Sequence, residues 1–147
     1  MHTNAVRHVF AGLVIAAVLA ASPMASAETI TFNAALSGSN EVPAVETKGS
    51  GDAVVTYDTA TKQLTWTITF SGLTGDPTVA HFHGPAGPKE NAKVAVLIGK
   101  APKSPAKGSA TLTDEQAADL LAGRWYINIH TEKNRPGEIR GQVVKGK

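Results

Sequence analysis

The stretch GDAVVTYDTATKQLTWTITFSGL, residues 51–73, decides the fold class of this chain. Its two halves, GDAVVTYD (51–58) and QLTWTITFSGL (63–73), are rich in Thr, Val and aromatic residues, which favour extended backbone. The TATK segment between them has the composition of a turn. Two strand-like runs joined so closely predict an antiparallel hairpin.

Further short segments have the same character and are punctuated by Gly and Pro. They are TITFNAAL (29–36), TVAHFH (78–83), KVAVLIG (93–99), KGSATL (107–112), RWYINIH (124–130) and GEIRGQVV (137–144). About eight such strands predict an all-β fold, an antiparallel sandwich or Greek-key barrel. One short helix is predicted in LTDEQAADLLAGR, with Thr113 as N-cap, Gln116 completing a capping box and Gly123 as the stop signal.

The N-terminus predicts a secretory signal peptide over residues 1–27. A weakly basic start precedes the apolar run VFAGLVIAAVLAAS, and the small residues ASA end at Ala27. An uncleaved membrane anchor is the alternative, but the apolar run is short for a comfortable span. Cleavage after Ala27 leaves residues 28–147 as a single domain and predicts a periplasmic or secreted protein with no membrane association.

Charge and composition exclude several classes of function. The signal peptide removes Arg7, which leaves 13 basic residues against 12 acidic ones, too small an excess to indicate nucleic-acid binding. The chain has no cysteine, so disulfide scaffolds, thiolate catalysis and cysteine-containing metal sites are all excluded. The predicted domain must be held together by packing alone.

The histidines of the predicted domain are His81, His83 and His130. Side chains two residues apart in a strand share one face, so His81 and His83 point to the same side. Phe82 between them, and Ile127 and Ile129 near His130, are the natural core residues. We therefore expect all three histidines on the outer face of a sheet, close to strand ends.

A hairpin around TEKNRPG (131–137) would align the last two strands in a defined register. It places Tyr126 opposite Gln142, Asn128 opposite Arg140, and His130 roughly opposite Glu138. Ile139 and Val143 would then turn inward. A slip of one residue would reverse these faces.

Two imidazoles at i and i+2, with a third from a nearby strand, predict a mononuclear metal site with an open position. Neutral imidazole suits copper, zinc, nickel and iron. Three protein ligands leave room for water or substrate. The alternative is that His81, His83 and His130 are polar surface residues that only form hydrogen bonds.

The segments LSGSNEVPAVETKGSG, AHFHGPAG and YINIHTEKNRPGEIRGQ resemble the CHRD (chordin-type) domain family over about residues 29 to 144. The resemblance implies an all-β, immunoglobulin-like sandwich. It implies no secure activity for bacterial members. Because the animal domain occurs in an extracellular binder of growth factors, a metal-free interaction module is one of the functions it implies.

The histidine order is also similar to that of Cu,Zn superoxide dismutase, a β-sandwich with an H-x-H copper segment and a later copper histidine. That resemblance implies His81, His83 and His130 as ligands of one copper and Arg140 as a catalytic residue that attracts superoxide. The bridging imidazolate, the zinc subsite and the cysteine pair of that family are missing, so the site would be mononuclear. Glu138 is then a candidate acid for peroxide formation.

Other residues are weaker candidates around this site. Asn128 and Glu138 are expected to orient an imidazole through hydrogen bonds, and Tyr126 to lie near the metal or to be half-buried in its strand. Lys89, Lys93 and Lys133 could attract an anion. Asn40, Glu41 and Pro43 are interpreted as a tight strand connection, with Glu41 not a ligand.

The sequence leaves several functions open. An exported copper enzyme that dismutates superoxide is preferred, with superoxide as its small anionic substrate. A copper carrier or sequestration protein, a zinc enzyme using bound hydroxide, and a metal-free interaction module are the alternatives. A protein partner or a homodimer is compatible with each.

Overall fold

Antiparallel strands dominate residues 26–147, the part of the chain that the computed structural model describes. The strands are β1 (Thr29–Ser37), β2 (Ser50–Asp58), β3 (Gln63–Ser71), β4 (Pro77–His83), β5 (Val94–Lys100), β6 (Ala106–Thr111), β7 (Trp125–Thr131) and β8 (Ile139–Lys145). They confirm the predicted all-β fold, with bounds that differ from the sequence-based ones by one or two residues. The predicted signal peptide falls mainly on residues 1–25, which lie outside the described part.

The eight strands form one antiparallel sheet in the order β5-β4-β7-β8-β1-β2-β3-β6. The sheet curls until its edge strands β5 and β6 approach each other, so the fold is nearly a barrel. β2 and β3 form the predicted hairpin, with the turn at Thr59–Lys62 and Val55 paired to Trp66. Curling the sheet encloses one core and leaves little exposed edge.

The interior contains the apolar residues that alternate along the strands. Phe82, Ile127 and Ile129 are fully buried, as predicted, and so are Ile139 and Val143. Trp66 and Phe82 meet edge to face with ring centres 5.3 Å apart. This core fixes which side of β4 and β7 faces away from it.

One short helix, α1 (Asp114–Leu121), joins β6 to β7. Thr113 accepts a hydrogen bond from the Gln116 backbone, and the Gln116 side chain accepts from the Thr113 backbone, which completes the predicted capping box. Gly123 follows with φ +71°, the left-handed conformation that ends a helix. Within residues 26–147, no helix is long and apolar enough to cross a bilayer.

Candidate metal centre

The pairing of β4 with β7 brings the three histidines together. His81 lies opposite Asn128, and Val79 lies opposite His130, so His130 is diagonal to His81. The ring centres are 5.2 Å apart for His81 and His130, and 5.4 Å apart for His81 and His83. One ring nitrogen from each residue lies within 4.8 Å of the other two. The strand alternation thus places all three imidazoles at one point on the outer face.

Backbone carbonyls orient two of the imidazoles. Nδ1 of His83 is 2.9 Å from the carbonyl oxygen of Ala92, and Nδ1 of His130 is 2.7 Å from that of Arg135. A carbonyl only accepts, so Nδ1 of each ring carries the proton and Nε2 carries the lone pair. Such contacts fix the tautomer and direction of metal-binding histidines.

The Nε2 atom of His83 is buried and has no hydrogen-bond partner among the described residues. A buried polar atom without a partner costs about 1–3 kcal/mol, so it requires an explanation. A metal ion would accept this lone pair. The Nε2 lone pair of His83 is thus free of any hydrogen bond to the described residues that a metal ion would have to displace.

The spacing of one pair of nitrogens matches that expected around a first-row transition metal. Nδ1 of His81 is 3.2 Å from Nε2 of His130. Two imidazole nitrogens at about 2.0–2.1 Å from a tetrahedral ion are separated by roughly 3.3 Å. Without an ion, His81 donates to His130, and this proton must leave before both atoms can ligate.

Burial favours the neutral, metal-binding form of two of these rings. Desolvation lowers the pKa of His81, and the neighbouring His130 and His83 lower it further. Desolvation also lowers the pKa of His83, while its hydrogen bond to Ala92 opposes the shift. Both imidazoles therefore stay neutral at pH values where an ordinary histidine is protonated.

The ring of Tyr126 lies between His83 and Arg140 and contacts both. The rings of His83 and Tyr126 are parallel within 2°, with centres 4.9 Å apart. The Arg140 guanidinium carbon lies 3.4 Å from the Tyr126 ring centre. Because β7 lies between β4 and β8, the two groups approach Tyr126 from opposite sides. The Tyr126 hydroxyl accepts a hydrogen bond from the Ala92 backbone, next to the carbonyl that orients His83.

Arg140 is 1% exposed, which differs from the open position expected for a residue that attracts an anion. It donates to Asn91 Oδ1 at 3.0 Å and to the carbonyls of Gly87 and Glu90 at 3.1 and 2.5 Å. Burial lowers its pKa, with Tyr126 and Glu41 opposing. Arg140 therefore holds the 87–92 loop in place, and attraction of superoxide by it stays a prediction.

Glu138 lies apart from the imidazoles, in a cage of three threonines. Its oxygens accept from the side chains of Thr47, Thr74 and Thr131 at 2.6–2.7 Å and from the Thr74 backbone at 2.8 Å. Burial would raise its pKa, but these donors outweigh it and hold the pKa at about 2. In the described structure none of its hydrogen bonds reaches a histidine, so the geometry supports neither an orienting nor an acid function.

Asn128 also contacts a partner other than an imidazole. Its Nδ2 donates to Glu41 Oε1 at 2.8 Å, while its own Oδ1 is buried without a partner. The register predicted for Asn128 and Arg140, and for Tyr126 and Gln142, is confirmed. Tyr126, Asn128 and Arg140 share a face of the sheet as predicted, whereas the Glu138 side chain is held by threonines instead of joining that row. Two loops cover this face, so Tyr126, Asn128 and Arg140 are buried.

Glu41 is a functional candidate that the sequence interpretation set aside. It lies in the 38–49 loop, is 8% exposed, and has a pKa raised to about 7 by burial, against the opposing charge of Arg140. The contact with Asn128 spans 87 positions of sequence. A lone acidic residue just before Val-Pro carries no local signal of such a partner.

A cavity of about 350 Å³ adjoins the cluster. His83, Tyr126 and Asn128 form part of its wall, with Glu41 and Lys133 also lining it. Lys89 lines a separate, smaller cavity of about 100 Å³. Of the three lysines considered, Lys133 alone shares a cavity with a histidine of the cluster among the described residues, and Lys93 lines neither. His83 is the one histidine of the cluster among the residues that line this cavity.

A comparison with protein families identifies the domain. The family model described as the CHRD domain matches residues 32–143, which is most of the chain. No curated protein and no solved structure shows a significant match. The chain therefore belongs to the CHRD domain family.

Proposed function

We propose that this CHRD-domain protein binds one copper ion through His81, His83 and His130 and dismutates superoxide. The observation that carries the proposal is that one ring nitrogen from each of the three histidines lies within 4.8 Å of the other two. His83 also has a buried Nε2 without a hydrogen-bond partner among the described residues. Isolated surface histidines have no need of carbonyl-fixed tautomers pointing at a common centre. A metal site accounts for both features.

An all-nitrogen donor set favours copper. Affinity of such sites for divalent ions is highest for Cu²⁺, and zinc follows it. Copper supplies one-electron redox chemistry when bound. The protein contributes three neutral imidazoles, two of them held by the Ala92 and Arg135 carbonyls. These contacts limit the rotation of those two rings.

The proposed substrate follows from the cavity and its charge. Two superoxide anions and two protons give one oxygen and one hydrogen peroxide, so the site must admit a small anion and supply protons. The cavity beside His83 is lined by Lys133, whose positive charge raises the rate of encounter with an anion. Buried Arg140 adds positive charge behind Tyr126.

Export belongs to the same proposal. Cleavage after Ala27 would release the mature chain into the periplasm or medium, where copper is accessible and cytosolic enzymes do not remove superoxide. N-terminal sequencing of protein recovered from the periplasm tests this directly. Glu28 as the first residue is the expected result, and an intact Met1 would contradict it.

The decisive experiment measures metal content and superoxide turnover on one preparation of the mature chain. Wild type is compared with His83→Ala and with Val54→Ala, a half-exposed β2 residue that serves as the matched control. Wild type and Val54→Ala should carry about one copper per chain, as a single three-histidine site implies, and destroy superoxide. The His83→Ala variant should do neither.

Each other outcome selects a different function. Copper without turnover indicates a carrier or sequestration protein. Zinc that resists replacement by copper indicates a zinc-hydroxide enzyme. No metal in any variant, with equal stability, indicates a metal-free interaction module and refutes the proposed site.

A further inference from the structure

Glu41 is a buried carboxyl group for which the proposed binding of copper has no use. It follows the 3-10 turn Gly38–Asn40 and lines the same cavity as His83. A side chain at Gly137 would collide with Glu41 Oε1 at 2.6 Å and with Asn128 Nδ2 at 2.1 Å. Position 137 therefore requires glycine, because any larger residue would prevent the contact between Glu41 and Asn128.

The surroundings of Glu41 differ from those of the other buried glutamate. Glu138 receives four hydrogen bonds, whereas a single one, from Asn128, reaches the Glu41 carboxyl within residues 26–147. A buried carboxylate with so few donors is poorly stabilised, so its protonated form becomes accessible.

Few charged or titratable groups oppose this protonation. Arg140 from β8 favours the ionised form, and Lys133 from the β7–β8 turn lines the same cavity. His83 from β4 and Tyr126 from β7 are the titratable groups on the cavity wall. Burial outweighs Arg140 and raises the pKa of Glu41 to about 7. The group can thus gain and lose a proton near neutral pH.

We propose that Glu41 is the proton-transfer residue of the copper site, supplying a proton through the cavity when superoxide is reduced to peroxide. This inference rests on the proposed function. In that half-reaction superoxide takes one electron from the reduced site and two protons, one from the Glu41 carboxyl and one from water, and leaves as hydrogen peroxide. The carboxylate regains its proton from solvent. In the other half-reaction superoxide loses one electron and leaves as oxygen, and no proton is needed.

The two half-reactions allow a selective test by pulse radiolysis of the copper-loaded mature protein. Glu41→Gln should slow oxidation of the reduced site by about tenfold or more, since a general acid typically contributes at least a hundredfold. It should leave reduction of the oxidised site within about twofold, because that step transfers no proton. Glu46→Gln, an exposed residue of the same loop, is the matched control and should change neither rate.

A second variant separates proton transfer from folding. Glu41→Asp keeps the acid on a shorter side chain and should restore part of the oxidation rate lost in Glu41→Gln. If Glu41 only stabilised the loop, Glu41→Gln and Glu41→Asp would both weaken copper binding and lower the unfolding midpoint. Both half-reactions would then slow together. That result would overturn the inference.

A third readout is independent of turnover. Carboxyl-carbon NMR of the metal-free protein should show one glutamate titrating near pH 7, absent in Glu41→Gln and present in Glu46→Gln. Titration of Glu41 in the ordinary carboxyl range, or equal rates of oxidation in wild type and Glu41→Gln, would overturn the inference and leave the dismutase proposal intact. Wild type with copper but no turnover would instead overturn the dismutase proposal, and the inference with it.

Discussion

Replacing Glu138 by glutamine should weaken the fold and not the chemistry of the histidines. The carboxylate accepts four hydrogen bonds: three tie the 47–49 and 72–76 segments to the residue before β8, and the fourth comes from Thr131 at the end of β7. Glutamine keeps the shape but removes the charge and two acceptor sites. The hydroxyls of Thr47, Thr74 and Thr131 would then face a weaker and partly mismatched partner.

The magnitude follows from the pKa of Glu138. Its value of about 2 in the fold lies below the 4.5 of an unperturbed glutamate. Each unit of difference corresponds to about 1.4 kcal/mol, which suggests roughly 3 kcal/mol in favour of the folded state at neutral pH. Because Thr74 is exposed, solvent screens the cage, and we expect a loss of about 2 kcal/mol in Glu138→Gln.

The sign of the pH dependence is also determined. A carboxyl whose pKa is lowered on folding stabilises the protein above its unfolded pKa, here 4.5, and that stability is lost as pH falls toward 2. The difference in unfolding free energy between wild type and Glu138→Gln should be largest at pH 7. It should shrink steadily below pH 4.5.

Urea denaturation of the mature, metal-free chain at several pH values measures this difference. Glu46→Gln, an exposed glutamate one residue before Thr47, is the control and should match wild type. A Glu138→Gln variant within about 0.5 kcal/mol of wild type at pH 7 would refute the reasoning, since that is the size of ordinary surface effects. A large difference that stays constant between pH 7 and pH 3 would assign the loss to packing instead of charge.

Three further outcomes test the site. Copper at about 100 times its dissociation constant should stabilise wild type by roughly 2.7 kcal/mol, which calorimetry would record as a higher Tm. The Tm of His83→Ala should not change. Equal shifts in both proteins would show that the ion binds elsewhere. Burial lowers the pKa of His81 and His83, so copper affinity measured by chelator competition should be retained somewhat below pH 6.5 and lost on further acidification. A loss of affinity that begins well above pH 6.5 would contradict this. At low ionic strength Lys133→Gln should slow superoxide decay about twofold, and Lys89→Gln should slow it less. Added salt should remove this difference. Equal effects of the two substitutions would show that superoxide does not enter through the cavity lined by Lys133.

Strand alternation explains why much of this fold could be predicted. The apolar residues Phe82, Ile127 and Ile129 leave one side of β4 and β7 free, and the histidines must occupy it. The turn chemistry of 131–137 sets the register that pairs Asn128 with Arg140. Both are local properties, since side-chain direction has a period of two and a hairpin joins neighbours in sequence.

What covers that face could not be predicted, because the contacts are distant in sequence. Asn91 illustrates this: it accepts from Arg140 and donates to the Val42 carbonyl, so one side chain joins β8, the 84–92 loop and the 38–49 loop. No periodicity encodes such a junction. The expected outer row of polar residues is therefore a buried layer, and Arg140 is a structural member of it.

The cover changes the chemistry of the residues beneath it. Glu41 and Glu138 are the same residue type in loops or strand ends beside β7, yet one receives a single hydrogen bond and the other receives four. Burial raises the pKa of both carboxyls, and the number of hydrogen-bond donors decides whether that effect prevails. The pKa of Glu41 therefore rises to about 7, while the four donors lower that of Glu138 to about 2. The sequence interpretation named Glu138 as a candidate acid. Because an acid must hold a proton at the working pH, we propose Glu41 for that function instead of Glu138.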